Sequence, residues 1–142
     1  MKMKYMKLDE RAVTPTYGSS EAAGADLYAL DDTIIYSGGT KLIHTGIAVE
    51  IPQGYVGLVY ARSGLASKRG IAPANKVGVI DSDYRGEIMV SLYNQSENTQ
   101  NINRGERVAQ LVITPYIQVE YELSDALTST KRDTGGFGST GK

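Results

Sequence analysis

The sequence predicts an all-β domain, a sandwich or barrel with one short helix, and three observations indicate it. Apolar runs are short, and glycine occurs 16 times among 142 residues. The runs are rich in valine, isoleucine and tyrosine, which favour strands. Glycine, proline, asparagine and aspartate separate them, as is typical of turns. A chain of this length fits one domain that buries a real core.

The predicted elements follow in chain order. We expect strands over residues 5–8, 34–36, 41–45, 47–51, 55–61, 77–80, 88–93, 108–113 and 117–123. Residues 63–68 are small and moderately helix-favouring, so they predict the one short helix, which Gly70 ends. The polar stretch 94–104 is predicted to be a long loop between strands.

Charge and composition exclude several classes of function. The chain has 15 Lys and Arg against 16 Asp and Glu, so no overall basic field exists to hold a nucleic acid. Cysteine is absent, which excludes disulfides, thiolate nucleophiles and thiolate metal sites. His44 is the single histidine and lies in an apolar run, so we expect it to be structural. No signal-peptide block and no membrane-spanning run occurs, so we expect a soluble, cytoplasmic protein without a membrane partner.

The last residues differ in composition from the rest. Between 128 and 142 the only large apolar residue is Phe137, the single phenylalanine of the chain, and it lies among glycines. Such a segment cannot bury enough apolar surface to offset its ordering entropy. We therefore divide the chain into a β-barrel domain, 1–127, and a flexible C-terminal arm, 128–142. The arm is either a disordered tail or a segment that closes onto a ligand or another subunit.

The arm also contains most of a Walker-type phosphate loop, Gly136 to Lys142. The Ser or Thr that should follow the lysine is absent, and no strand and helix flank the loop, so we reject a P-loop. Glycine-rich backbone still exposes N–H groups. Together with Arg132, Ser139 and Thr140 it suits an anion such as a triphosphate.

The stretch 78–87 carries the strongest local pattern. Residues 77–80 are mostly β-branched and apolar, and they predict a buried strand that ends at Asp81 and Asp83. The chain then turns near Gly86 into a second apolar strand. A carboxylate at the end of a buried strand is partly stripped of water, which suits it to proton transfer. Alternatively, both aspartates are turn residues that bond nearby backbone amides.

Three further stretches contain candidate site residues. Arg62 and Ser63 open the predicted helix, where N–H groups and a positive dipole suit phosphate; alternatively, Ser63 is an ordinary cap. Asp26 lies among very small residues and could sit beside a hydrated Mg²⁺, which prefers oxygen ligands. Gln110 lies inside an apolar run, so its amide must find partners in the core or on a ligand.

Together these stretches resemble the trimeric dUTP pyrophosphatases (dUTPases). The matches occur in the family's order at residues 23–27, 62–66, 78–86, 105–111, and Arg132 with 135–141. The resemblance implies a jelly-roll-like β fold and a homotrimer with active sites at subunit interfaces. It also implies Mg²⁺-dependent hydrolysis of dUTP to dUMP and pyrophosphate, which limits uracil incorporation into DNA and supplies dUMP for thymidylate synthesis.

Roles for individual residues are likewise implied by the resemblance. Asp81 would activate the water that attacks the α-phosphorus, and Asp26 would hold Mg²⁺ through a metal-bound water. Tyr84 would lie against the deoxyribose, and Phe137 would cover the base. The implied substrate-binding residues are Arg62, Ser63, Gly64 and Gln110 at the phosphates; Asn75, Val79, Ile80 and Met89 around the uracil; and Arg132, Gly138, Ser139 and Thr140 in the closing arm.

Three alternatives stay open. A dCTP deaminase shares the fold class, and an assay of ammonia against pyrophosphate separates it from a dUTPase. A protein of the same fold could add or substitute a regulatory protein-binding role. A trimeric structural protein such as a capsid component would explain the strands, but not the joint occurrence of Arg62, Asp81 and the glycine-rich arm.

Overall fold

The computed structural model describes residues 1–136, and over this range it consists of short β-strands and one helix. The predicted all-β class with one short helix is confirmed. No helix in this range is long and apolar enough to cross a membrane. The elements are β1 (Lys4–Lys7), β2 (Thr16–Tyr17), β3 (Ala25–Tyr28), β4 (Thr33–Ile35), β5 (Thr40–Glu50), β6 (Tyr55–Tyr60), α1 (Ser63–Arg69), β7 (Ile71–Pro73), β8 (Gly78–Ile80), β9 (Glu87–Asn94), β10 (Gln100–Ile102) and β11 (Arg107–Pro115).

The strands form two main sheets and a small ribbon. One sheet has the order β1-β5-β9-β7, the other β2-β3-β11-β6-β8, and β10 pairs with β4. Neighbours are antiparallel in all three, so one face of each sheet can be apolar while the other meets solvent. Buried side chains from all three meet in one core, which includes Leu27, Val59, Leu111, Ile43, Val90, Ile35 and Ile102. This is a sandwich with a common core.

A bulge interrupts the long strand β5. The sequence predicts two strands here, over 41–45 and 47–51, whereas the structure has one continuous strand. Its register against β9 shifts between His44 and Ala48. Gly46 has a φ of +68°, and a Cβ there would lie 2.8 Å from the Cβ of Ala12, so the position requires glycine. The bulge explains why the pattern looked like two strands.

Helix α1 ends where the sequence predicts. Gly70 adopts the left-handed conformation, with φ 65° and ψ 28°, and its N–H caps the carbonyl of Leu65. At the last turn the Arg69 guanidinium bonds Glu106, the Asn101 carbonyl and, at 3.0 Å, the side chain of Gln100. A short helix has little stability of its own, so this arginine and the buried Leu65 hold it to the sandwich.

Two predictions about secondary structure are wrong. The stretch 94–104 is not wholly loop, because β10 pairs with β4 within it. Ile102 is the only buried residue of β10, and one apolar position is too weak a pattern to predict a strand. Residues 117–123 are not a strand, because β11 ends at Pro115 and no strand among residues 1–136 pairs with the segment. Leu123 within it is 98% exposed.

The side chain of Asn94 fastens the turn after β9. It is fully buried, and its Nδ2 donates to the carbonyls of Ile35 at 3.0 Å and Asn98 at 2.8 Å. Its Oδ1 accepts from the Ser96 N–H at 3.0 Å and the Ser96 hydroxyl at 2.7 Å. Both amide hydrogens and both lone pairs of the side-chain oxygen are used, so the amide replaces strand pairing where β9 ends.

We predict that Asn94→Ala lowers the free energy of unfolding by about 2–3 kcal/mol, because buried carbonyls lose their donor. Equilibrium unfolding in guanidinium chloride at fixed protein concentration measures it. Asn98→Ala is the matched control, since Asn98 is exposed and contributes its backbone carbonyl; it should change stability by less than about 0.5 kcal/mol. Equal losses in the two variants would contradict the assigned role.

Candidate active site

The β8–β9 hairpin forms a double groove that brings the predicted base-binding residues together. One groove, of about 230 Å³, is lined by residues that include Val79, Ile80, Asp81, Tyr84 and Met89. The adjoining groove, of about 110 Å³, shares Val79, Ile80 and Met89 with the first and is also lined by Asn75. Of the hairpin residues predicted to contact substrate, every one lines one or both grooves.

The prediction that 77–80 is a buried strand is wrong. The strand covers only Gly78–Ile80, and Val79 is 62% exposed. The reason is its place in the sheet: β8 is an edge strand that pairs only with β6. Asp81, directly after it, is exposed as well, so residues 1–136 of one chain do not strip this carboxylate of water.

Tyr84 is folded back over the hairpin turn. Its N–H donates to the Asp81 carbonyl at 3.2 Å, and its hydroxyl donates to the Glu87 carbonyl at 2.9 Å. A Cβ on Gly86 would clash with the Tyr84 ring and hydroxyl, so glycine is needed beneath the ring. The ring is 41% exposed and faces the groove, where it can meet a sugar.

A second cluster lies around Asp26 on β3. This side chain is 3% exposed and accepts from Arg62 Nε at 2.8 Å and from Arg107 Nη1 at 3.4 Å. A buried carboxylate is costly unless it is paired, and two guanidinium groups around one carboxylate leave the cluster positive. Sequence reasoning missed Arg107, although it lies only three residues before Gln110 in the same matched stretch.

The predicted phosphate-binding residues surround this cluster. Helix α1 begins with Arg62 as its N-cap and without a side-chain capping bond, so the alternative that Ser63 is an ordinary cap is wrong. Ser63 and Gly64 are exposed, and nothing lies within 4 Å of a Cβ built on Gly64. Gln110 is half-buried opposite Asp26, and a Cβ on Gly24 would lie 3.1 Å from its Cβ. The close backbone approach explains the small residues beside Asp26.

The residues present fit a water-mediated contact to Mg²⁺. Within residues 1–136 no group of three or more acidic, histidine or cysteine side chains could hold a metal ion, so the chain offers no protein cage. Asp26 is the carboxylate at the cluster, and each of its oxygens accepts one bond from an arginine. A carboxylate oxygen has two lone pairs, which leaves capacity for a metal-bound water. Proteins commonly hold Mg²⁺ by one or two carboxylates plus substrate phosphates.

The hairpin and the Asp26 cluster lie far apart within one chain. Ile80, the residue before Asp81, lies opposite Gly57 of β6. Asp26 lies two strands beyond β6, level with Tyr60. With the usual rise along strands and spacing between them, Asp81 and Asp26 are about 20 Å apart. The phosphates of one nucleotide span only a fraction of that distance.

The arm is described only up to Gly136. Arg132 is exposed, and its Nε donates to the Gly135 carbonyl at 2.8 Å, a contact within the arm. The structure therefore does not bring Arg132 to the hairpin or to the Asp26 cluster. The other arm residues predicted to bind substrate, Phe137, Gly138, Ser139 and Thr140, lie outside the described residues.

Comparisons with known proteins show which family the chain resembles along its length. A family model described as dUTPase matches residues 10–141. The deoxyuridine 5'-triphosphate nucleotidohydrolase of Nautilia profundicola is 51% identical over 142 residues, which cover 100% of both chains. The enzyme of the same name from a Hydrogenobaculum species is 46% identical over 142 residues, which cover 99% of both chains.

Solved structures show the same likeness. The Staphylococcus bacteriophage 80alpha dUTPase with dUPNHPP has a TM-score of 0.92 and 28% identity, and the match covers 99% of each chain. A dUTPase from phage phi11 of S. aureus has a TM-score of 0.82 and 26% identity over 89% of this chain and 98% of that one. That structure is described as revealing the coordination of a structural Mg(II) ion.

The similarity extends along the whole chain, not only over the five matched stretches. It confirms the jelly-roll-like fold that the resemblance implied. It also confirms that the chain is a hydrolase of nucleotide metabolism. The chain belongs to the dUTPase family of enzymes, the deoxyuridine 5'-triphosphate nucleotidohydrolases.

Proposed function

We propose that the chain hydrolyses dUTP to dUMP and pyrophosphate in a homotrimer whose active sites lie between subunits. The observation that carries the proposal is the separation of Asp81 from the Asp26 cluster. The arginines of the same chain lie beside Asp26 on β3, three strands away from the hairpin strand β8, and are poorly placed for a nucleotide in the hairpin groove. It can reach those of a second copy docked against the groove. The reaction would keep dUTP out of DNA and supply dUMP for thymidylate synthesis.

The hairpin groove supports selection of the base. The smaller cavity, bounded by Asn75, Val79, Ile80 and Met89, has a volume of about 110 Å³ and is partly polar. We infer that uracil enters it, that the thymine methyl group does not fit, and that the amino group of cytosine mismatches its polar atoms. The adjoining Tyr84 would pack against the deoxyribose and leave no room for a 2′-hydroxyl.

Asp81 follows the groove directly and is the group we assign as general base. Its exposed carboxylate would accept a proton from a water as that water attacks the α-phosphorus. The bond from the α-phosphorus to the bridging oxygen then breaks, and pyrophosphate leaves. Because the nucleophile is water, Ser63 needs only to donate a hydrogen bond. Asp83 is also exposed, and we assign it no catalytic role.

The Asp26 cluster supports binding of the triphosphate. Asp26 fixes the guanidinium of Arg62, whose remaining donors, with Ser63, Gly64 and Gln110, would hold phosphate oxygens. Phosphoryl transfer depends mainly on such positioning and charge neutralisation. When bound through a water on Asp26, Mg²⁺ would offset charge on the leaving pyrophosphate.

The arm would complete the site from another copy of the chain. Between 117 and 123 apolar side chains alternate with polar ones, a strand pattern that pairs with no strand of the described range 1–136. Ile117, Tyr121 and Leu123 are all highly exposed. Pairing with a second copy would bury them. We propose that the arm, 128–142, then brings Arg132, Gly138, Ser139 and Thr140 to the terminal phosphates and Phe137 over the base.

The direct test is to incubate the protein with Mg²⁺ and dUTP, dTTP, dCTP or UTP in parallel and to measure pyrophosphate and ammonia. We expect pyrophosphate from dUTP. We expect pyrophosphate release from dTTP, dCTP and UTP to be lower by at least about 10²-fold, because the groove excludes these nucleotides. Ammonia from dCTP would instead establish the deaminase alternative. No product from any nucleotide would overturn the proposed activity.

For Asp81 we predict that Asp81→Asn lowers kcat on the order of 10²–10⁴-fold, the usual contribution of a positioned general base. Binding of a non-hydrolysable dUTP analogue, measured by calorimetry, should stay within a few-fold of wild type. Asp83→Asn is the matched control, two residues away and equally exposed, and should retain near-wild-type kcat. Near-wild-type turnover in Asp81→Asn would refute its role.

Sites shared between subunits predict complementation. Asp81→Asn and Arg62→Gln should each be inactive alone. Mixed trimers refolded from equal amounts should regain about a quarter of wild-type activity, since a quarter of the interfaces then pair two intact halves. Mixing Asp81→Asn with Asn75→Ala, two changes that line the same double groove of one chain, should give no more activity than the two variants give separately. If the first mixture also stays inactive, the two clusters do not serve one site across subunits.

A further inference from the structure

The carboxylate of Glu87 joins the substrate hairpin to the bulge of β5. Its Oε1 accepts from the N–H groups of Thr45 at 3.0 Å and Gly46 at 2.7 Å. Its Oε2 bonds His44 Nδ1 at 2.8 Å. The side chain is 19% exposed, so these bonds form in a largely desolvated place where they are strong. One carboxylate thus accepts hydrogen bonds from the backbone N–H groups of Thr45 and Gly46, which lie where the β5–β9 register shifts.

The backbone of the same residue holds Tyr84. The tyrosine hydroxyl donates to the Glu87 carbonyl at 2.9 Å, and the ring rests over Gly86. Glu87 is also the first residue of β9 and lines the groove that contains Tyr84 and Asp81. The Glu87 side chain is therefore bonded to β5, while the Glu87 carbonyl is bonded to the hydroxyl of Tyr84.

We propose that Glu87 is a positioning residue that fixes Tyr84 through the β5 bulge and thereby sets the selectivity for deoxyribose over ribose. The inference deepens the proposed function and rests on it, because it takes Tyr84 to be the group beside the sugar. Glu87 itself need not touch the nucleotide. In the sequence, Glu87 stands out only as a charged residue between Gly86 and the apolar run 88–93, a pattern that does not predict its bonds to β5.

The Glu87 carbonyl can hold Tyr84 in place only if the start of β9 is itself rigid. Opposite the bulge, pairing between β5 and β9 jumps from His44–Met89 to Ala48–Glu87. The start of β9 therefore lacks a regular ladder to hold it, and the Glu87 side chain supplies the missing bonds. Thr45, which is fully buried, fixes the bulge from the other side by donating its hydroxyl to the Ile88 carbonyl at 2.6 Å. Without the carboxylate, the Glu87 carbonyl and Tyr84 gain freedom together, and a ribose hydroxyl can be accommodated.

The test is the ratio of kcat/KM for dUTP to that for UTP. Tyr84→Phe removes the hydroxyl bond and should lower the ratio about fivefold, as expected for one hydrogen bond. Glu87→Ala should lower it by a similar factor, and Glu87→Met, which keeps the side-chain length without an acceptor, should do the same. Glu87→Gln keeps an acceptor for the two amides and should retain a ratio within about twofold of wild type.

A double-variant cycle separates positioning from general damage. If Glu87 acts through the Tyr84 hydroxyl, Glu87→Ala combined with Tyr84→Phe should lose no more selectivity than either alone. Asn94→Ala, which weakens the fold away from the hairpin, should leave the ratio unchanged. An unchanged ratio in both Glu87→Ala and Glu87→Met, an equal loss in Glu87→Gln, or multiplied losses in the double variant would each overturn the inference. Failure of wild type to hydrolyse dUTP would instead overturn the proposed function.

Discussion

The order of strands in the five-stranded sheet is the constraint on which the rest of the molecule depends. With β3 near one edge and β8 at the other, the sheet holds the arginine-bound Asp26 and the hairpin carboxylate Asp81 on one rigid frame but out of each other's reach. A sheet cannot bend by the required distance without breaking its ladder. In the function that we propose, Asp81 and Asp26 would act together only when two copies of the chain face each other. An exposed edge strand is usually a liability because its unpaired backbone groups can pair with other chains. In the proposed assembly, a second copy of the chain would cover β8 and its groove.

The buried charge of Asp26 has two consequences for the same oxygens. Burial is stabilised because Arg62 and Arg107 donate to it, and the arginines in turn gain a fixed direction. Those bonds occupy one lone pair on each oxygen and leave the other free to accept from an ordered, metal-bound water. The geometry therefore favours an ion that is carried by the phosphates and only steered by the protein.

Local chemistry was enough to predict the class of fold, the helix and its stop at Gly70, because turn and cap residues act through their own backbone. It was also enough to find Asp81, Arg62, Asp26 and Gln110 as candidates. Local chemistry was not enough to predict which of these side chains are exposed to solvent. Val79 looks like a core residue, and only the sheet order shows that it lies on an edge. The bonds of Arg107 and Glu87 were beyond it for the same reason, since their partners are 81 and 43 positions away in sequence.

The hairpin combines an exposed recognition surface with a rigid base, two demands that oppose each other. Val79 and Tyr84 are open to solvent in the single chain, so core packing does not hold them. Hydrogen bonds to the backbone can hold them without covering them. The Tyr84 hydroxyl on the Glu87 carbonyl and the Glu87 carboxylate on the β5 amides form such a path from groove to core. An edge strand alone would flex, whereas an edge strand tied to a bulge has the stiffness that the proposed discrimination of a single hydroxyl group needs.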